Sequence, residues 1–132
     1  MRKRAPISVV VAVIRDGPRT WVQRRRESGP LDGLWEFPGG KPRRGETDAN
    51  ALIREVREET GAAVVPGPLL CETTHAYEDR TVRLRFYAAT LAKGSPPLAV
   101  DPNRRWVATA DLCRLPTPAA NAPLLEVLDA GT

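Results

Sequence analysis

Cysteine and histidine are scarce in this chain: Cys71 and Cys113 are the two cysteines, and one histidine accompanies them. No CxxC spacing is present, so neither a zinc centre nor a disulfide framework is expected, and both thiols read as reduced, buried side chains of a cytoplasmic protein. Long hydrophobic runs are missing too. Nothing approaches the roughly 20 apolar residues that a membrane helix needs, so no membrane association is expected. The basic start Met1-Arg2-Lys3-Arg4 followed by Ile7 to Ile14 imitates a secretory leader, but it lacks a cleavage site of small residues. Arg15-Asp16-Gly17-Pro18 then reads as a turn, which makes the run a buried strand. Internal repeats and low-complexity tails are absent.

What is present starts with size and charge. The 132 residues suit one domain, spanning 1–132, that buries roughly two thirds of its unfolded surface. The formal charge of +4 and the clusters Arg24-Arg25-Arg26 and Arg43-Arg44 suit an anionic partner. A nucleic-acid binder and an enzyme that gathers polyphosphates both fit that description.

Along the chain, Ile7 to Ile14 is a β-branched run suited to a central strand, with Thr20 to Arg24 as its hairpin partner. A Gly- and Pro-rich loop, Ser28 to Gly33, leads into Leu34-Trp35-Glu36-Phe37, after which Pro38-Gly39-Gly40 breaks regular structure. Thr47 or Asp48 caps a helix running to about Thr60, with Ala49, Leu52, Ile53 and Val56 as its apolar stripe and Gly61 as its end. Pro66 to Pro68 marks a connection. Leu69 to Tyr77 and Val82 to Leu91 read as antiparallel strands around Glu78-Asp79-Arg80, Lys93 to Asn103 as a loop, Arg105 to Thr109 as a short strand and Ala122 to Ala130 as a last helix. The fold class is α/β, with a mixed sheet and two principal helices.

The most informative stretch is Gly40 to Ala62, GKPRRGETDANALIREVREETGA. Glu55, Glu58 and Glu59 are spaced i, i+3, i+4 and project from one helix face. Two such charges about 5 Å apart repel by roughly 3 kcal/mol at an effective dielectric near 20, so the cluster expects a cation. Oxygen ligands on a partly open surface favour magnesium or manganese. A solvated face laced with i, i+4 pairs explains Arg54 with Glu58, but not the glycines at both ends or Glu46 at its set distance.

These residues resemble the Nudix box, G-x5-E-x7-R-E-U-x-E-E-x-G-U, with Gly40, Glu46, Arg54, Glu55, Val56, Glu58, Glu59 and Gly61 in register. Only Ala62 departs, standing where a larger aliphatic residue is usual. The resemblance implies a Nudix αβα sandwich and hydrolysis of a nucleoside diphosphate linked to some group X. It further implies Mg2+, or Mn2+, held by Glu55, Glu58 and Glu59 with the Gly39 carbonyl, while Arg54 orients a box glutamate and Glu46 supports the loop.

Two flanking matches narrow the substrate. Leu34 to Lys41 resembles the strand entering the box in MutT-type triphosphatases that clear oxidised guanine nucleotides, and Pro116 to Pro123 resembles their segment with a purine-reading asparagine. The resemblance therefore puts Asn121 on the base, Phe37 against its ring, Arg25 near O6 or the C8 side, and Arg80 over the nucleotide. An amide suits that task because it offers an acceptor and a donor in one plane. Water would attack the β-phosphorus and release a monophosphate and pyrophosphate.

One position departs from the resemblance. Many relatives carry a further glutamate in the loop before the Trp106 strand, where this chain has Val100 beside Asp101; either Asp101 substitutes or a box glutamate is the base. Two other functions compete: a Nudix hydrolase for modified CTP, ADP-ribose or a dinucleoside polyphosphate, and a non-catalytic module resembling the lesion-reading domain of adenine glycosylases. The expected partner is a small nucleotide, without a stable nucleic-acid partner, and the expected state is a monomer.

Overall fold

The computed structural model describes residues 5–26 and 31–130. The elements are β1 (Ile7–Asp16), β2 (Arg19–Arg24), β3 (Trp35–Glu36), β4 (Gly39–Gly40), α1 (Asp48–Thr60), β5 (Val64–Ala76), β6 (Thr81–Leu91), β7 (Arg104–Ala108) and α2 (Ala122–Ala130). Two 3₁₀ segments, Thr109–Arg114 and Ala119–Asn121, precede α2.

Strand β1 organises the molecule. It lies in the middle of the order β3-β2-β1-β6-β5, runs parallel to β6 from Ile7↔Val82 to Ile14↔Ala89, and meets β2 and β4 antiparallel. The sheet is therefore mixed. Successive side chains of a strand point to opposite faces, and here both faces are covered. Val10, Ala12 and Ile14 pack with Leu52 and Val56 of α1, whereas Val11 and Val13 pack with Leu124 and Leu128 of α2. Helix, sheet and helix form three layers with an apolar core on each side of the sheet.

Several boundaries differ from the sequence reading. Pro66-Gly67-Pro68 lies inside β5, an outer strand where a residue lacking N–H is tolerated, and the register shifts between Pro66, Leu69 and Cys71 absorb it. Gly39 and Gly40 pair with Val11 and Val10, so they belong to the sheet. Ala49 is exposed, and Ala51 takes the buried place in the α1 stripe. The last short strand ends at Ala108, with Thr109 opening a 3₁₀ segment. Cys113 is exposed and Cys71 half-buried, so neither is the buried thiol expected. In the loop from Ser28 to Gly33, residues 28–30 lie outside the described residues.

Candidate active site

Helix α1 is fixed at both ends. Thr47 Oγ1 accepts the Asn50 amide at 3.1 Å, and Asp48 takes Arg85 Nε at 2.8 Å and the Tyr87 hydroxyl at 2.5 Å, which ties the first turn to β6. At the other end Gly61 adopts φ 78°, the left-handed conformation that glycine reaches without a Cβ clash, and its amide caps the Arg57 carbonyl. The apolar stripe faces the sheet, and the glutamates turn toward the edge of the helix next to β4.

Arg54 joins the carboxylates. Its Nε meets Glu46 Oε2 at 2.8 Å and its Nη2 meets Glu46 Oε1 at 2.9 Å; its Nη1 reaches Glu55 Oε1 at 3.0 Å and Glu58 Oε2 at 3.3 Å. Nη2 also donates to the Lys41 carbonyl at 3.1 Å, which fastens the loop before the helix. The Arg54 hydrogen bonds, followed by the Arg43 amide, pull the Glu46 carboxyl down to about 2. Arg54 itself is raised by the same pairing and stays charged.

Glu59 differs from its neighbours. Although the residue as a whole is exposed, desolvation of its carboxyl against the cleft wall pushes it up to about 7; the Gly39 amide, 3.0 Å from Oε2, pulls the other way, and negative charge on Glu55, Glu36 and Glu58 adds to the rise. Close approach explains the glycine beside it: a Cβ on Gly40 would collide with the Glu55 carboxylate.

Among the described residues no three acidic, histidine or cysteine side chains converge on one point as a ready cage. Arg54 Nη1 bridges Glu55 and Glu58, and Glu59 turns to Gly39 through the amide of that glycine. The donor chemistry nonetheless fits a hard divalent ion, because Glu55, Glu58 and Glu59 offer only oxygen and repel one another.

Beside Glu59 opens a cleft of about 290 Å³. It is lined by Arg25, Phe37, Arg80 and Asn121, and by Gly39 and Glu59 from the metal-binding candidates. Phe37 serves both cleft and core, being 6% exposed and packed with Val11 and Trp35. Asn121 is also 6% exposed, a buried polar residue at the end of a 3₁₀ turn, and its backbone N–H donates to the Pro118 carbonyl. Arg25 Nε lies 3.0 Å from Glu36 Oε1.

Glu36, Lys41 and Tyr77 also line the cleft, although the sequence reading gave none of them a role. The signal for Glu36 is its place between Trp35 and Phe37, but only the β2–β3 pairing brings it to Arg25.

Asp101 is engaged elsewhere. Its Oδ1 accepts the Asn103 amide at 2.7 Å and its Oδ2 meets Arg104 Nε at 3.2 Å, while Arg104 Nη1 donates to the Glu59 carbonyl at 3.1 Å. The loop thus reaches the end of α1 through a cation, and Val100 points into solvent, 65% exposed.

Comparison with known proteins agrees with this geometry. The family model described as NUDIX domain matches residues 9–127. An 8-oxo-dGTP diphosphatase of Proteus vulgaris is 34% identical over 68% of this chain and 81% of its own length. A CTP pyrophosphohydrolase of Escherichia coli (strain K12) is 32% identical over 91% of this chain and 89% of its own. The solution structure of the MutT protein, a Nudix hydrolase, from methicillin-resistant Staphylococcus aureus 252 superposes with a TM-score of 0.78 at 34% identity, covering 99% of this chain and all of that one. A box in register, a three-layer sandwich and relatives that match along most of the chain lead to one conclusion: the protein belongs to the Nudix family and is a MutT-like hydrolase acting on nucleotides.

Proposed function

We propose that the chain is a magnesium-dependent nucleoside triphosphate pyrophosphohydrolase that removes 8-oxo-dGTP or related oxidised purine nucleotides, yielding a monophosphate and pyrophosphate. One observation carries this reading: Asn121, Phe37 and Arg25 line the same cleft as Glu59 of the box. A base reader and an acidic helix edge meet in one cavity.

Each residue has a task in this reading. Asn121 pairs with the purine edge by its amide, where oxidation at C8 turns N7 from acceptor to donor, and Phe37 supports the ring. Arg25, steadied by Glu36, lies on the O6 or C8 side, and Arg80 covers the nucleotide from the hairpin turn. Glu55, Glu58 and Glu59 would hold the magnesium, which when bound would lower the pKa of water and offset charge on the phosphoryl oxygens. Arg54 orients Glu55 and Glu58 for that task. In this reading the proton from the attacking water goes to a box carboxylate, and Asp101, which pairs with Asn103 and Arg104 and does not line the cleft, is the less suited base.

A panel of nucleotides with magnesium, scored for pyrophosphate release, tests the proposal. Preference for 8-oxo-dGTP over dGTP and dCTP by at least tenfold in kcat/KM is expected, and equal rates would remove the oxidised-guanine assignment. A second reading, hydrolysis of CTP or a modified cytidine triphosphate, is favoured by the Escherichia coli relative that matches nine tenths of this chain. The same panel separates the two.

A further inference from the structure

The loop entering α1 carries more positive charge than the site described so far uses. Arg54 is occupied by Glu46, Glu55 and Glu58, but Lys41, Arg43 and Arg44 precede it. Glu46 fixes the backbone of this loop from both sides: its Oε1 accepts the Arg43 amide at 2.8 Å, and its own amide donates to the Arg43 carbonyl at 2.9 Å. From that rigid stem the Arg43 side chain extends into solvent, 67% exposed, and its Nη2 stands 3.3 Å from Glu58 Oε1. Lys41, two residues earlier, lines the cleft. A solvent-exposed cation thus rests on Glu58, the most exposed of the carboxylates that Arg54 contacts.

Such a pair is weak, because both partners are open to water and the side chain loses freedom in holding it. Glu58 gives it up readily to a stronger cation. The released guanidinium would stand beside incoming phosphates, whose oxygens its planar fork matches in a two-pronged way. Building on the nucleotide-hydrolase reading above, we propose that Arg43 shields Glu58 in the free enzyme and grips the terminal phosphates once displaced, so that nucleoside triphosphates are favoured over diphosphates linked to a neutral group. Charge runs in the same direction. A triphosphate brings an anionic γ-phosphate to this loop, whereas a diphosphate sugar brings an uncharged ring that gains little from Lys41 and Arg43.

The test combines three measurements on Arg43→Ala, with Arg57→Ala, an exposed charge removed from the last turn of α1, as control. Manganese binding without nucleotide, read by electron paramagnetic resonance, should tighten about two- to fivefold, since a competitor has gone. Calorimetry with manganese present should show inorganic pyrophosphate weakened about tenfold and dGMP unchanged. kcat/KM for triphosphates should fall about tenfold through KM. Arg43→Lys should recover at least half of the pyrophosphate affinity, and Arg43→Gln replaces the alanine variant if that one melts early. Manganese affinity that is unchanged or weaker, or equal losses on pyrophosphate and dGMP, overturns the proposal. A wild-type protein that hydrolyses no nucleotide sinks the proposed function instead, and the manganese measurement still reads the Arg43–Glu58 contact.

Discussion

Arg54 grips Glu46 with two nearly equal hydrogen bonds, 2.8 and 2.9 Å, across eight residues of sequence, and its third nitrogen reaches forward to Glu55 and Glu58. One planar cation thereby sets the positions of a loop and of two carboxylates. Arg54→Ala should lower kcat about 10- to 100-fold and raise the magnesium needed for half-maximal activity. Arg54→Lys should recover little, since an ammonium lacks the rigid fork. Steady-state rates over a magnesium series, with circular dichroism to establish folding, check both.

Asn121 offers the cleft an amide from a nearly closed position. Asn121→Ala should narrow the preference for 8-oxo-dGTP over dGTP by about 10- to 100-fold, the scale of one buried polar partner lost. The chemistry of the box stays intact, so kcat should change less than the ratio of kcat/KM values. A ratio equal to that of the wild type argues against base reading by Asn121.

Asp48 gives the fold a pH dependence. Burial opposes its charge, but hydrogen bonds from Tyr87 and Arg85 outweigh that and hold its carboxyl below the ordinary 3.8. A group lowered in the folded state contributes stability above its unfolded value and loses it as pH falls through the folded one. Asp48→Asn is therefore expected to cost about 1–3 kcal/mol at pH 7. In urea titrations the gap between variant and wild type should close as the pH drops below 3.8. A gap independent of pH would show that charge is not the cause.

Thr20 and Thr109 share a hydroxyl hydrogen bond of 2.7 Å between β2 and the 3₁₀ segment after β7, and both are buried. Thr20→Val alone leaves a buried hydroxyl on Thr109 without its partner and should cost about 1–3 kcal/mol. The double variant, valine at both positions, should be more stable than the sum of the singles predicts. Denaturant melts of the four proteins give the coupling directly.

Much of this molecule was legible from residue order, because local rules and tertiary packing agree there. The β-branched run of β1, the Thr47 and Gly61 caps of α1 and the acidic spacing 55, 58, 59 each follow from one-dimensional patterns. Where packing overrode local preference the reading failed. Pro66 and Pro68 look like a break but sit in a strand, since an outermost strand has one side with no partner to satisfy. Gly39 and Gly40 look like a break in regular structure but pair with β1, as a ladder needs backbone and no side chain. Glu36, Lys41 and Tyr77 were missed as cleft residues because the pairing of β3, β4 and β5, which no periodicity encodes, sets where they lie.

The prolines of β5 have an effect beyond this single molecule. A thirteen-residue strand at the rim of a sheet would ordinarily invite a stray chain to dock along it and begin a fibre. Pro66 and Pro68 offer no N–H to such a visitor, and the irregular register that follows spoils the template, so resistance to edge-on docking is written into the same residues that make this strand hard to recognise.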